Sequence, residues 1–304
     1  MRLSPLALLA GILVLLGAAG VTAWMIRRPA APPVVMSAPP PAPAAPAEPP
    51  PQAVADDTPA QPPAGGELPV PPFPPRIAEG DQYDRCMSMI ADDPEGAEAI
   101  ATAMKAANAG DGATHCQAMA KIAAGDADAG AEMLEGLAHA QGMDDRTKVL
   151  LLGQAAEARS IADQPERALR DATEGLNLAP DDPDLLFSRA SAHDSLDQSQ
   201  DALNDLQRLV AIDPSRGDAF VLRATIWLQF DKLELARRDI EAALALDPDD
   251  PDALLQRGVL RQRTGDTDGA RADWIRVRDA DPNSDTAEQA AQNLSLLDAG
   301  PRRK

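Results

Sequence analysis

Between Pro183 and Pro214 the apolar residues fall in two runs parted by a polar break. Leu185, Leu186, Ala190 and Leu196 form the first run, and Asp197-Gln198-Ser199-Gln200 the break. Ala202, Leu203, Leu206, Leu209 and Val210 form the second. Returns at i, i+3, i+4 and i+7 put such side chains on one helix face, so the segment reads as two amphipathic helices and a tight turn. Asp213-Pro214 stops the second helix, because proline has no N–H to give its interior. Pro183 and Pro251 stand at first helical positions, each behind a capping aspartate, Asp182 and Asp250. There the missing N–H costs nothing.

The pattern is periodic. Pro180, Pro214, Pro248 and Pro282 lie 34 residues apart, and Ala168, Ala202, Ala236 and Ala270 precede them at one offset. Four positions after those alanines come Ala172, Leu206, Ile240 and Trp274. A fixed period of this size marks a solenoid, in which each unit buries its apolar face against its neighbours. Where two helices cross, close packing demands small side chains, and Ala156, Ala190, Ala224 and Gly258 supply them.

These residues resemble the tetratricopeptide repeat. Aligned on the family's proline, the units run 149–182, 183–216, 217–250 and 251–284. The resemblance implies an all-α solenoid of helical hairpins wound as a right-handed superhelix, which binds other proteins in a concave groove lined by the first helix of each hairpin. Carried over by position, the groove residues are Asp184, Phe187, Ser191 and Asp194 in the second unit. They are Asp218, Val221, Thr225 and Leu228 in the third, and Asp252, Leu255, Val259 and Gln262 in the fourth. An acidic ladder at 184, 218 and 252 beside an apolar one at 187, 221 and 255 suits an extended segment with a basic edge. The competing reading is that the acids complement helix dipoles and the apolar residues pack between repeats. The lysine-and-asparagine clamp that some members use for acidic carboxyl-terminal peptides has no counterpart here.

A second register adds pairing. Arg189, Arg223 and Arg257 precede the crossing residue, and Asp205, Asp239 and Asp273 sit at matched places in the second helix. Arg–Asp pairs are expected, within a hairpin or to its neighbour; as solvated surface charges they would contribute little. The first unit has Asp171 but Ala155 in place of the arginine, and is expected to lack the link.

The rest of the chain departs from the period. Leu3–Ile26 is apolar and, as a helix, about 36 Å long, enough to cross a hydrocarbon core of about 30 Å. Arg27-Arg28 closes it and Trp24 suits the interface, which reads as a single membrane-spanning anchor. A signal peptide cleaved near Val21-Thr22-Ala23 is the alternative. Residues 29–76 form a Pro/Ala-rich linker whose composition cannot bury a core, expected to be disordered and extended. Helices are expected at 79–91, 94–108, 112–123 and 127–140, as two degenerate repeats before the regular ones. Asp285–Leu297 reads as a capping helix with Glu288, Gln289, Gln292 and Asn293 outward, and 301–304 as a tail.

Candidate chemistry is sparse. Cys86 and Cys116 are the only cysteines and fall on successive first helices of hairpins, which pack side by side. They are expected to form a disulfide in an oxidising compartment, or else to be buried small apolar residues. His115 and Cys116 are adjacent, so on a helix they point about 100° apart and make a poor dyad. No phosphate loop, nucleophile elbow, zinc or calcium pattern occurs, and Asp181-Asp182 and Asp249-Asp250 read as helix caps. No metal, cofactor or enzymatic activity is expected. The net charge of −20 argues against a nucleic-acid partner, which needs a basic face.

The combined expectation is a protein-binding scaffold of the bacterial inner membrane, single-pass, with its repeats in the periplasm. The alternatives are a periplasmic assembly chaperone, as repeats of this family in cytochrome c maturation suggest, and a structural protein that self-assembles through its repeat ends.

Overall fold

A computed structural model describes residues 76–299. The apolar amino-terminal stretch, nearly all of the Pro/Ala-rich linker and the basic tail lie outside the described residues. Within them the chain forms thirteen α-helices and no strand. None of these helices is long and apolar enough to cross a membrane.

Four hairpins carry the period: α5 (Asp145–Ile161) with α6 (Pro165–Leu178), α7 (Pro183–Ser195) with α8 (Ser199–Ile212), α9 (Gly217–Gln229) with α10 (Leu233–Leu246), and α11 (Pro251–Thr264) with α12 (Thr267–Ala280). Before them come α1 (Asp81–Met89), α2 (Pro94–Ala106), α3 (Asp111–Ala123) and α4 (Ala127–Ala138); α13 (Asp285–Ala299) closes the stack. Consecutive helices pack pairwise throughout, and the first helices α5, α7, α9, α11 and α13 also touch in series. The second through fourth hairpins fall where the apolar runs placed them, and α5 starts one turn earlier than the first unit's boundary.

Local chemistry sets the helix ends. Asp182 accepts from Leu185 N at 3.0 Å and Asp250 from Ala253 N at 2.8 Å, each satisfying an orphan donor ahead of a first-turn proline. The neighbouring acids do something else: Asp181 pairs with Arg208 and Asp249 with Arg276. Each regular hairpin turns through one left-handed residue at the same register, Asp163, Asp197, Asp231 and Gly265, with φ of 55°, 58°, 55° and 90°. Aspartate tolerates that region better than most side chains, and glycine enters it freely.

The core follows the small-and-large scheme. Ala168, Ala202, Ala236 and Ala270 are inaccessible, as are Leu206 and Trp274. Each fully buried leucine or isoleucine contributes about 1.5–3 kcal/mol relative to exposure. Tyr83, Cys86, Met87 and Ile90 are buried together with Met104 and Cys116 at the amino-terminal end. The closing helix buries Ala287, Ala290 and Leu294 and turns Glu288, Gln289 and Gln292 outward.

The Arg–Asp pairs form within hairpins. Arg189, Arg223 and Arg257 each place Nε and Nη2 on the two oxygens of Asp205, Asp239 and Asp273, at 2.6–2.9 Å. The first hairpin lacks that bidentate link, as expected. Asp171 lies near Arg159, one turn beyond Ala155, but Nε is 3.9 Å from Oδ2, too far for a hydrogen bond, and neither atom has a hydrogen-bond partner among the described residues. Arg159 is wholly buried and also reaches Asp128 and Glu135 of α4, so it ties the regular repeats to the degenerate ones. Burial, then the Glu135 charge, pushes the Asp171 carboxyl up to about 6, against the pull of Arg159.

Candidate functional site

The first helices carry the groove positions, and the structure sorts them into three groups. Asp184, Phe187, Ser191 and Asp218 line one cleft between α5, α7 and the start of α9, of about 500 Å³. Val221, Leu228 and Leu255 are only 8%, 3% and 4% exposed, because each packs into a cluster with the adjoining helices. Their part of the apolar ladder is therefore interior, and Phe187 alone reaches the surface of the three rungs. The remaining positions lie outside the cleft. Thr225 is half-buried with Oγ1 donating to Val221 O, and Val259 packs partly between two core clusters. Gln262 is exposed, and burial, then the Asp197 charge, pushes the Asp194 carboxyl up.

The acidic ladder is exposed but engaged. Arg216 spans two of its rungs, with Nη1 on Asp184 at 2.7 Å and Nη2 on Asp218 at 2.7 Å. Its guanidinium also lies 5.3 Å from the Phe187 ring centre, a cation–π contact. Asp252 accepts from Thr286 at 2.7 Å. Arg216-Gly217 stands where Asp182-Pro183 and Asp250-Pro251 begin their helices, and α9 accordingly has no side-chain cap. Losing such a cap costs about 1 kcal/mol, and that break in the repeat was the sequence signal for Arg216.

Two further cleft residues sit in the first unit, whose groove positions went unassigned. Leu150 occupies the register of the acidic ladder, and Gly153 that of Phe187, Val221 and Leu255. α5 brings Val149, Leu150 and Gly153 but also Arg146, Gln154 and Glu157, so apolar and charged groups share that wall. Glu157, Asp182, Asp184 and Asp218 outnumber Arg146 and Arg216 around it.

Beneath the cleft runs a buried polar chain. Ile77 N donates to Tyr83 Oη at 3.2 Å, which leaves the tyrosine hydrogen for His115 Nδ1 at 2.8 Å. His115 must then carry its own proton on Nε2, donating to Gln154 Oε1 at 2.8 Å. Gln154 lines the cleft, and its buried Nε2 has no hydrogen-bond partner among the described residues.

Burial holds the His115 imidazole below its ordinary value, opposed by the hydrogen bond to Gln154. The unfolded chain, titrating near 6.5, therefore binds the proton more readily. The stability from neutral His115 is complete above that value and is lost as pH falls below it. Asp171, raised in the folded state, acts in the opposite direction near pH 6, so a difference measurement is needed. Compared with a His115→Gln variant, the stability advantage of the native chain should shrink as pH falls from 7 to 5. Urea melts of both chains across that range check it; a constant gap would show that His115 does not titrate with folding.

Cys86 on α1 and Cys116 on α3 lie with their sulfur atoms at disulfide distance and their Cα atoms 6.3 Å apart. Both are inaccessible.

A tetratricopeptide-repeat family model matches residues 252–284. Among solved structures, a thermophilic tetratricopeptide-repeat protein of Thermus thermophilus superposes with a TM-score of 0.51 at 18% identity, over 60% of this chain and 98% of that one. The anaphase-promoting-complex hetero-tetramer Cut9–Hcn1 superposes with a TM-score of 0.57 at 12% identity, over 69% of this chain and 42% of that one. At these identities the likeness shows the fold, a tetratricopeptide-type helical-repeat solenoid. A comparison with curated proteins gave no match.

Proposed function

We propose that this solenoid is a non-catalytic interaction scaffold of the bacterial cell envelope, holding an extended segment of a protein partner in the α5–α7–α9 cleft. In this reading the amino-terminal apolar stretch is the inner-membrane anchor and the repeats work in the periplasm. The observation that carries the reading is the cleft itself. It has the volume of a ligand site, an aromatic side chain in its lining at Phe187, and acidic and basic groups around it. The paired cysteines support an oxidising compartment, where a disulfide between α1 and α3 would persist.

The test uses the full-length chain in growing bacterial cells, with a photo-crosslinking amino acid at position 191 inside the cleft. Light is expected to give a discrete protein adduct that falls at least fivefold in a Phe187→Glu chain whose melting curve remains cooperative. Adducts indifferent to that change would overturn the cleft. The mass of the peptides carrying Cys86 and Cys116, read from the same cells, reports location. Peptides joined until reduction support the periplasm, and free thiols place the repeats in the cytoplasm.

A further inference from the structure

Given that the cleft holds a partner segment, the reading on which all of this rests, its lining selects which segment. Along the first helices one register position carries an apolar side chain in three successive units, Phe187, Val221 and Leu255. In the third and fourth units that side chain is interior and packs against its neighbours. One unit earlier the same position is Gly153, inside α5, where helix formation itself favours almost any other residue. A Cβ built there would meet nothing closer than Leu185 Cδ2 at 3.6 Å, an ordinary contact. No steric demand therefore requires glycine at 153. Its φ is not in the left-handed region either. What glycine does is leave open the place that a side chain fills elsewhere, and that opening is part of the cleft.

The surroundings define what would fill it. Leu150 and Phe187 make apolar walls, so an apolar group is favoured there by burial. Beside the notch, Gln154 is fixed by His115 through its oxygen, and its Nε2 is closed off from the cleft. Towards α9 stand Asp184 and Asp218, which already accept one guanidinium, that of Arg216, laid over Phe187.

We propose that the Gly153 notch takes one apolar side chain of an extended partner segment. A lysine or arginine within about three residues of the anchor then meets the Asp184–Asp218 rungs, a span set by about 3.3 Å per extended residue. The chain supplies a lock for a basic-apolar peptide by omitting a side chain from its own repeat.

The experiment pans a display library of random ten-residue peptides against the full-length chain in detergent micelles. The retained peptides are then measured against the native, Gly153→Ala, Gly153→Leu and Phe187→Glu chains. The expected result is a shared apolar residue with a basic neighbour. Affinity should fall at least tenfold in Gly153→Leu and less in Gly153→Ala, while both variants melt at or above the native temperature. Peptides that Phe187→Glu rejects but Gly153→Leu binds as tightly as native would overturn the notch and leave the cleft standing. Peptides indifferent to both changes, or no retained peptide, would overturn the cleft along with it. Retained peptides that are acidic or wholly polar would overturn the proposed chemistry.

Discussion

Replacing Arg223 by alanine is expected to destabilise the repeats by about 3 kcal/mol, far more than removal of a surface ion pair would. Asp239 is buried on α10, and Arg223 supplies both of its charged hydrogen bonds, at 2.8 and 2.7 Å. With the guanidinium gone the carboxylate must either stay ionised in an apolar setting or take up a proton, and either course costs free energy. The loss is expected at the lower end of the range for buried pairs, because the arginine side chain keeps 16% of its surface in water. Contact of its guanidinium with the Phe220 ring, 5.6 Å between centres, is lost as well. A second variant separates the worth of the pair from the penalty of breaking it. Arg223→Met with Asp239→Leu replaces both charges by apolar groups and should recover most of the loss, since no unpaired charge remains. Urea midpoints of the three chains decide the matter. An unchanged midpoint in Arg223→Ala would reduce these bidentate pairs to solvated surface charges.

Gly258 and Trp274 are expected to be coupled by about 2 kcal/mol. The fourth unit has the smallest crossing residue and the largest second-helix residue, against Ala190 with Leu206 and Ala224 with Ile240 in the units before it. A Cβ on Gly258 would sit 2.7 Å from two atoms of the indole, closer than real contacts allow. The ring cannot yield easily, because it is inaccessible and its Nε1 donates to Leu255 O at 3.2 Å. Gly258→Ala should therefore cost about 1–2 kcal/mol net, after the roughly 1 kcal/mol that alanine brings to a helix. Trp274→Ile alone should cost about 3 kcal/mol through the cavity it opens. Together the two changes recreate the Ala–Ile pair of the third unit, and their costs should fall well short of additive. Thermal melts of the four chains complete the cycle. Additive losses would mean that the ring shifts freely and that the two sites are independent.

How much of this was legible in the sequence varies by element. The regular hairpins were, because their period repeats a small crossing residue, a buried second-helix partner and a proline stop in unit after unit. Agreement among registers leaves little freedom in where a helix lies. The Arg–Asp pairs were legible as pairs for the same reason, while their closure inside one hairpin was decided only by the fold. Arg159 escaped. It lies off the expected register, beside Asp171 but hydrogen-bonded to Asp128 and Glu135 of another hairpin.

The candidate site divides in a similar way. The resemblance placed Phe187, Val221 and Leu255 at one register of three successive first helices. Whether a face meets water depends on what packs over it, and the neighbouring repeats bury Val221 and Leu255 while leaving Phe187 half-exposed. Gly153, Leu150 and Arg216 define the cleft by departing from the repeat, and a departure has no visible purpose until the neighbours that surround it are in place. The sequence by itself determined the helices, their order and the residues that let them cross, because those follow from local periodicity and repetition along one chain. Only the tertiary structure decided which apolar rungs are interior, which arginine reaches which acid, and where a missing side chain leaves room, because each depends on distances between residues that the chain order keeps far apart.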